Sequence, residues 1–291
     1  MTDMRERFYA LAREALDEDE RVAVVTAQIG NDSIGEHPRH FDVGIREQLM
    51  IGVAAGLALE GYRPVAHSYT PFLVERPWEF LKLDLGHNDL GAVLVSTGAS
   101  YDAARSGRTH QAPEDVALVA SLPDWTIHIP GHVDEVERLF RQALGGDGRT
   151  YLRLSEETNH ARVDPGWLTV LRRGSSGTPL VIAVGPTLTP VLEATGDRDV
   201  TVAYIATVRP FPHDEVRDAL ADGTEVVLVE PYQAGTSAAE IAIALRDRPH
   251  RLLALGVPNM EFRRYGTGAE HRAAHGLDAA GIGRSLESFL R

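Results

Sequence analysis

The chain has 291 residues, 43% hydrophobic and 24% charged, with 42 acidic against 29 basic residues and a formal net charge of −13. That length suits two domains better than one, and the acidic balance lacks the basic footprint of a nucleic-acid binder while leaving anionic small molecules open. The absence of cysteine excludes disulfides, thiolate catalysis and cysteine-based zinc sites.

No basic-then-apolar leader opens the sequence, and no apolar run reaches the roughly 18 residues that span a bilayer. The expectation is a cytoplasmic protein engaging neither nucleic acid nor membrane. In chain order, residues 3–20 read as an amphipathic helix with Phe8, Leu11, Ala12, Ala15 and Leu16 on one face. The valine-rich run 21–27 fits a buried parallel strand. A helix follows Glu47, and 51–61 within it holds three glycines and three alanines, small enough for another backbone or a flat ring to come close. Strands are expected at 62–67, 92–96, 126–129 and 150–154, and helices at 71–85, 113–121 and 133–144. Asp164-Pro165-Gly166 and the run 172–177 mark a linker. Beyond it, strands at 180–184, 200–205, 225–230 and 251–255 alternate with helices at 189–194, 213–220, 237–245 and 279–290. Such alternation predicts an α/β chain of two doubly wound domains with mainly parallel sheets: 1–160, a linker at 161–178, and a smaller domain at 179–291.

The segment Phe41-Asp42-Val43-Gly44-Ile45-Arg46-Glu47-Gln48, continuing through Gly52-Val53-Ala54-Ala55-Gly56-Leu57-Ala58 to Gly61-Tyr62-Arg63-Pro64-Val65, resembles the pyrimidine-binding domain of the transketolase-like thiamine diphosphate enzymes. The resemblance extends over nearly the whole chain and implies a pyrimidine-binding domain, a linker and a transketolase C-terminal domain. In that family a glutamate hydrogen-bonds the aminopyrimidine ring nitrogen so that the exocyclic nitrogen can take the thiazolium C2 proton, and Glu47 matches it. Without the motif, a carboxylate opening a helix would be ordinary complementation of the helix dipole. In His67-Ser68-Tyr69-Thr70-Pro71-Phe72, Tyr69 and Phe72 match aromatics that stack on the aminopyrimidine. Gln28 and Ile29, after the first strand, complete the implied cofactor-binding set. Arg108-Thr109-His110-Gln111 resembles the segment whose histidine lies over the reactive carbon, so His110 is implied as a general acid/base or oxyanion donor.

Gly146-Asp147-Gly148 looks like the start of the family's diphosphate and metal motif, but no asparagine follows at the required spacing, and the triplet reads as a turn between helix and strand. The resemblance then implies that the diphosphate, with its Mg2+ or Ca2+, is held by a separate N-terminal subunit, most simply in an α2β2 assembly, and that this chain contributes no metal ligand. The implied substrate site departs from the family. Asp32, Tyr101, Ser106 and Glu156 stand where a serine, a histidine, an acidic residue and an arginine are expected, with Asp102 retained. Two of these changes place carboxylates near a phosphate dianion, which disfavours a standard pentose phosphate, although Arg5, Arg105, Arg108 and Arg153 could rebuild an anion site. The expectation is a transferase moving a two-carbon ketol unit to an aldehyde or other acceptor. A subunit of the 2-oxoacid dehydrogenase beta type, delivering an acyl or hydroxyacyl unit to a carrier protein, is the alternative. A non-catalytic scaffold is disfavoured by the joint presence of Glu47, Tyr69, Phe72 and His110.

Overall fold

The computed structural model describes residues 3–164, 166–261 and 263–291; Met1, Thr2, Phe262 and Pro165 of the expected linker lie outside the described residues. Two sheets organise the chain. The first contains β1 (Val22–Thr26), β2 (His40–Asp42), β3 (Arg63–Tyr69), β4 (Val93–Thr97), β5 (Trp125–His128) and β6 (Arg149–Arg153). The second contains β7 (Thr169–Arg172), β8 (Leu180–Val184), β9 (Thr201–Ile205), β11 (Glu225–Gln233) and β12 (Arg251–Val257), while β10 (Thr207–Arg209) crosses back to the first. Their orders are β10-β5-β6-β4-β3-β1-β2 and β12-β11-β8-β9-β7. Pairing is parallel except where β10 meets β5 and β7 meets β9.

Helices cover both sheets: α1 (Met4–Glu18), α2 (Asn31–Ile34), α3 (Glu47–Leu59), α4 (Trp78–Phe80), α5 (Asp115–Ala120), α6 (Val133–Gly145), α7 (Leu188–Thr195), α8 (His213–Leu220), α9 (Ala238–Ala244), α10 (Gly268–Ala274) and α11 (Ala279–Phe289). Strand periodicity explains the two cores. Successive side chains point to opposite faces, so Val22 and Val24 of β1 join Phe8, Leu11 and Phe140, from α1 and α6, in one cluster. Val25, one residue on, joins Met50, Ile51 and Ala54 of α3 in the other. Both clusters run into the second sheet, through Val181 and Ala183 on one side and Ile182 and Val184 on the other.

Several features depart from the expected elements. β7 lies inside the stretch read as linker, and β10 carries the later part of the chain into the first sheet. The segment 71–85, expected as one α-helix, lies in two wide π-type turns, Pro71–Glu75 and Leu81–His87, flanking α4. β2, α2 and α10 have no counterpart among the expected elements. The seam between the halves is tight: a Cβ on Gly131 would lie 2.6 Å from both the Gly185 carbonyl oxygen and the Tyr204 hydroxyl, so only glycine fits there. Asn159 closes the same junction, its Nδ2 donating to the Gly185 carbonyl at 3.0 Å.

Candidate active site

Parallel pairing brings the C-terminal ends of β1, β3, β4 and β6 to one edge of the first sheet, the edge on which open α/β sheets bind ligands. Glu47 is the first residue of α3 and is 1% exposed. Its Oε2 accepts a hydrogen bond from Arg76 Nη1 at 2.6 Å. Arg76 reaches it because the Pro71–Glu75 turn is wide, with the Arg76 amide donating to the Pro71 carbonyl five residues back at 3.0 Å. The same turn brings the Arg76 guanidinium carbon to 4.1 Å from the centre of the Phe72 ring.

Phe72 belongs to a three-ring cluster. Tyr69, the last residue of β3, lies edge-on to Phe72 at 6.3 Å and to His110 at 5.5 Å, and Phe72 lies 5.0 Å from His110. Edge-to-face contacts at these separations suit aromatic quadrupoles. His110 closes a short 3-10 turn, Arg108–His110, with its Nδ1 2.9 Å from Thr109 Oγ1. Gly98 makes room for Tyr69: at φ +73° it sits in the left-handed region, and a Cβ there would lie 2.6 Å from the Tyr69 ring. The structure therefore brings Tyr69, Phe72 and His110 into contact, and links Glu47 to them through Arg76.

Behind Tyr69, His67 is fully buried, its Nδ1 2.8 Å from the Val95 carbonyl and its Nε2 3.3 Å from the Tyr9 hydroxyl. A carbonyl only accepts, so Nδ1 carries the proton and Tyr9 donates to Nε2. Burial lowers the His67 pKa to about 4, leaving a neutral ring as a fixed strut for β3.

A cavity of about 420 Å³ opens beside Tyr69, lined by Asp102, Ala103, Arg105, Ser106 and Glu156 and, from the second half of the chain, Gly266–Gly268. The buried Asp102 carboxylate accepts from the Glu156 amide at 2.9 Å and the Ser155 hydroxyl at 3.2 Å. Burial, then the charge of Glu157, pushes its pKa up to about 8. Glu157 is itself paired with Arg272 at 3.2 Å.

The other expected residues lie elsewhere. Arg153 faces the interior: it is 1% exposed, its Nε donates to Asp115 at 2.6 Å and its Nη2 to Ser100 at 2.6 Å, and it does not line the cavity. Tyr101 is buried against the His271 ring, stacked at 5.8 Å and 12°. Arg108 is held by Glu114 at 2.7 Å. Gln28, Ile29 and Asp32 occupy the loop and short helix after β1, with Gln28 at φ +71° and its amide donating to Asp42 at 2.8 Å. No hydrogen bond or ion pair joins these three to Glu47, Tyr69 or His110 among the described residues. Sequence reasoning missed Arg76 and Gly266–Gly268. The four-residue step from Phe72 to Arg76 could have suggested the former, whereas nothing local marks the latter.

Among the described residues no trio of histidine, aspartate or glutamate side chains is arranged to hold a metal ion, and no helix is long and apolar enough to cross a membrane.

Residues 2–160 match the model for the transketolase pyrimidine binding domain. The chain is 47% identical to an uncharacterized 33.6 kDa protein in the fasciation locus of Rhodococcoides fascians, over 99% of this chain and 95% of that protein. It is 30% identical to one of the subunits of the apulose-4-phosphate transketolase of Actinobacillus succinogenes, over 96% of this chain and 94% of that subunit. Against 1-deoxy-D-xylulose-5-phosphate synthase 2 of Geobacter sulfurreducens the identity is 32%, with 96% of this chain aligned to 48% of the relative, so the chain spans about half of that protein's length. A solved structure described as a split gene transketolase, inactive beta4 tetramer, superposes with a TM-score of 0.82 at 23% identity, covering 98% of this chain and 97% of that one.

Proposed function

The chain belongs to the transketolase family through its pyrimidine-binding domain, and we propose that it is the C-terminal subunit of a two-component thiamine diphosphate enzyme that transfers a two-carbon ketol unit to an aldehyde or other acceptor. Residues 1–160 are then the pyrimidine-binding domain and 179–291 the transketolase C-terminal domain. The observation that carries the reading is the buried Glu47 carboxylate beside an aromatic face. An aminopyrimidine ring needs both a carboxylate for its ring nitrogen and a flat apolar surface for its face. Glu47 and Phe72 offer the two within reach of one planar group, since the Arg76 guanidinium touches both.

Thiamine diphosphate, when bound, supplies an acidic carbon at thiazolium C2 that becomes the nucleophile. This chain's residues provide the surroundings. Glu47 would hold the pyrimidine ring nitrogen with its carboxylate and could share a proton with it there, shielded from water by burial. Phe72 and Tyr69 exclude solvent and orient the ring. His110, steadied at Nδ1 by Thr109, presents Nε2 on the opposite side of its ring to hold or move a proton on the substrate oxygen.

Asp102, Arg105 and Glu156 form the substrate pocket. The Glu156 carboxylate offsets the single arginine, Arg105, so the pocket carries no net positive charge to hold a phosphate dianion, and the preferred acceptor is neutral or cationic rather than a standard pentose phosphate.

The diphosphate and its Mg2+ or Ca2+ belong to a separate N-terminal subunit in an α2β2 assembly. Support comes from the relative that matches over 94% of its length and is itself named as one subunit of a transketolase. Apolar residues of α3 and of the segment packed on it, Leu49, Leu59, Phe80 and Leu83, are also exposed. The test is to co-purify the chain with the partner, add thiamine diphosphate and Mg2+, and record the near-ultraviolet circular dichroism of the bound aminopyrimidine together with donor consumption. Retention of both signal and turnover in Glu47→Ala refutes the assignment. Normal rates with xylulose 5-phosphate refute the pocket reading.

A further inference from the structure

We propose that Arg76 is a built-in stand-in for the cofactor's aminopyrimidine ring, capping the pyrimidine site until the ligand displaces it; this rests on the reading of Glu47 and Phe72 given above. Among the described residues the Glu47 carboxylate has one hydrogen-bond donor, Arg76 Nη1 at 2.6 Å, and the same guanidinium lies 4.1 Å from the Phe72 ring centre. A guanidinium is a flat, delocalised array of nitrogens about one carbon, able to pair with a carboxylate along its edge and stack through its face. An aminopyrimidine offers a similar pair of features: a ring nitrogen beside an exocyclic amine on its edge, and an aromatic face. Two groups making the same edge contact to Glu47 and the same face contact to Phe72 exclude one another.

The geometry also permits release. The Arg76 side chain is 38% exposed while that of Glu47 is 2% exposed, so the arginine has a path to water and the carboxylate does not. The pair is thus asymmetric. Arg76 can be solvated when it leaves, but Glu47 is stranded in a dry site unless another donor arrives. An anion or a purely apolar molecule does not satisfy the vacated carboxylate, whereas a planar donor that also stacks on Phe72 does. Opening is therefore coupled to the correct ligand, and apparent cofactor affinity is reduced by the fraction of molecules in which Arg76 occupies the site.

The experiment uses the reconstituted pair with saturating Mg2+, titrating thiamine diphosphate and following its circular-dichroism signal in wild type, Arg76→Met, Arg76→Lys and Glu47→Gln. Arg76→Met should bind about fivefold or more tightly than wild type, since its site is always free. Arg76→Lys, which keeps the charge but not the plane, should fall between them. Low-millimolar guanidinium chloride should weaken binding to Arg76→Met more than to wild type, because the free ion refills the vacated place. Unchanged or weaker binding by Arg76→Met at an unchanged melting midpoint overturns the proposal. If Arg76→Met does not fold, Arg76→Lys binding no tighter than wild type overturns it. Glu47→Gln separates the two readings: an intact signal and turnover sink the underlying role of Glu47. Their loss alongside an Arg76→Met indistinguishable from wild type sinks only the role of Arg76.

Discussion

Two arginine–carboxylate pairs flank the candidate site, and both close at 2.6 Å. Arg153 and Asp115 are 1% and 0% exposed, with Asp115 also accepting from the Tyr151 hydroxyl and Arg153 donating to Ser100. Arg76 and Glu47 share a single bond, and one partner faces solvent. Equal distances conceal different roles. The first pair is held by further bonds to Tyr151 and Ser100 and ties β6 to α5, whereas the second is a lone contact whose arginine reaches solvent. Separation alone does not tell a structural pair from a working one; the number of other bonds and the exposure of each partner do.

Substitutions can break this contrast at either end. The largest effect is expected in Glu47→Ala, with turnover of the reconstituted enzyme falling by about 100-fold or more while the melting midpoint barely moves. Asp115→Ala should do the reverse. It strands the buried Arg153 cation and destabilises the fold by about 3–5 kcal/mol, read by denaturant unfolding, whatever happens to catalysis. Gly98→Ala should cost about 1–3 kcal/mol, since it forces a side chain into a left-handed position against Tyr69. Its selective signature is weakened cofactor binding.

The pH dependence of stability tests the pocket beside Tyr69. Asp102 is raised from its ordinary value of 3.8 to about 8, so the folded protein binds a proton that the unfolded chain has lost. That contribution to stability is full below the ordinary value and is lost as pH rises through the folded one. The melting midpoint should therefore fall between about pH 5 and about pH 8, and Asp102→Asn should flatten the fall. An identical slope in the variant would show that this carboxyl is not held protonated.

Much of the architecture is legible in the sequence because buried parallel strands are written as runs such as Val22–Thr26 and Leu180–Val184, in which every residue is buried. β2 has no such run: His40–Asp42 lies at the sheet edge and is largely exposed. β10 is three residues long and is made a strand by its neighbour β5 rather than by its own pattern. The wide turns at 71–87 are not signalled by the sequence, because the apolar spacing there fits an α-helix as well; their bonds reach five residues back instead of four. At the site, motif residues identify Glu47, Tyr69, Phe72 and His110 together. Arg153 misleads because its counter-ion Asp115 is 38 positions away, and nothing local to β6 reveals that its charge is already matched.

β10 also bears on how the molecule could be taken apart. Thr207 and Arg209 close the outer edge of the first sheet against β5, and Thr207 Oγ1 lies 2.9 Å from His128 Nδ1. The halves are thus stitched rather than strung together. A protease that nicks the chain within 161–178 should yield two fragments that still elute as one particle, and a recombinant piece ending at 178 should expose a bare strand edge and self-associate.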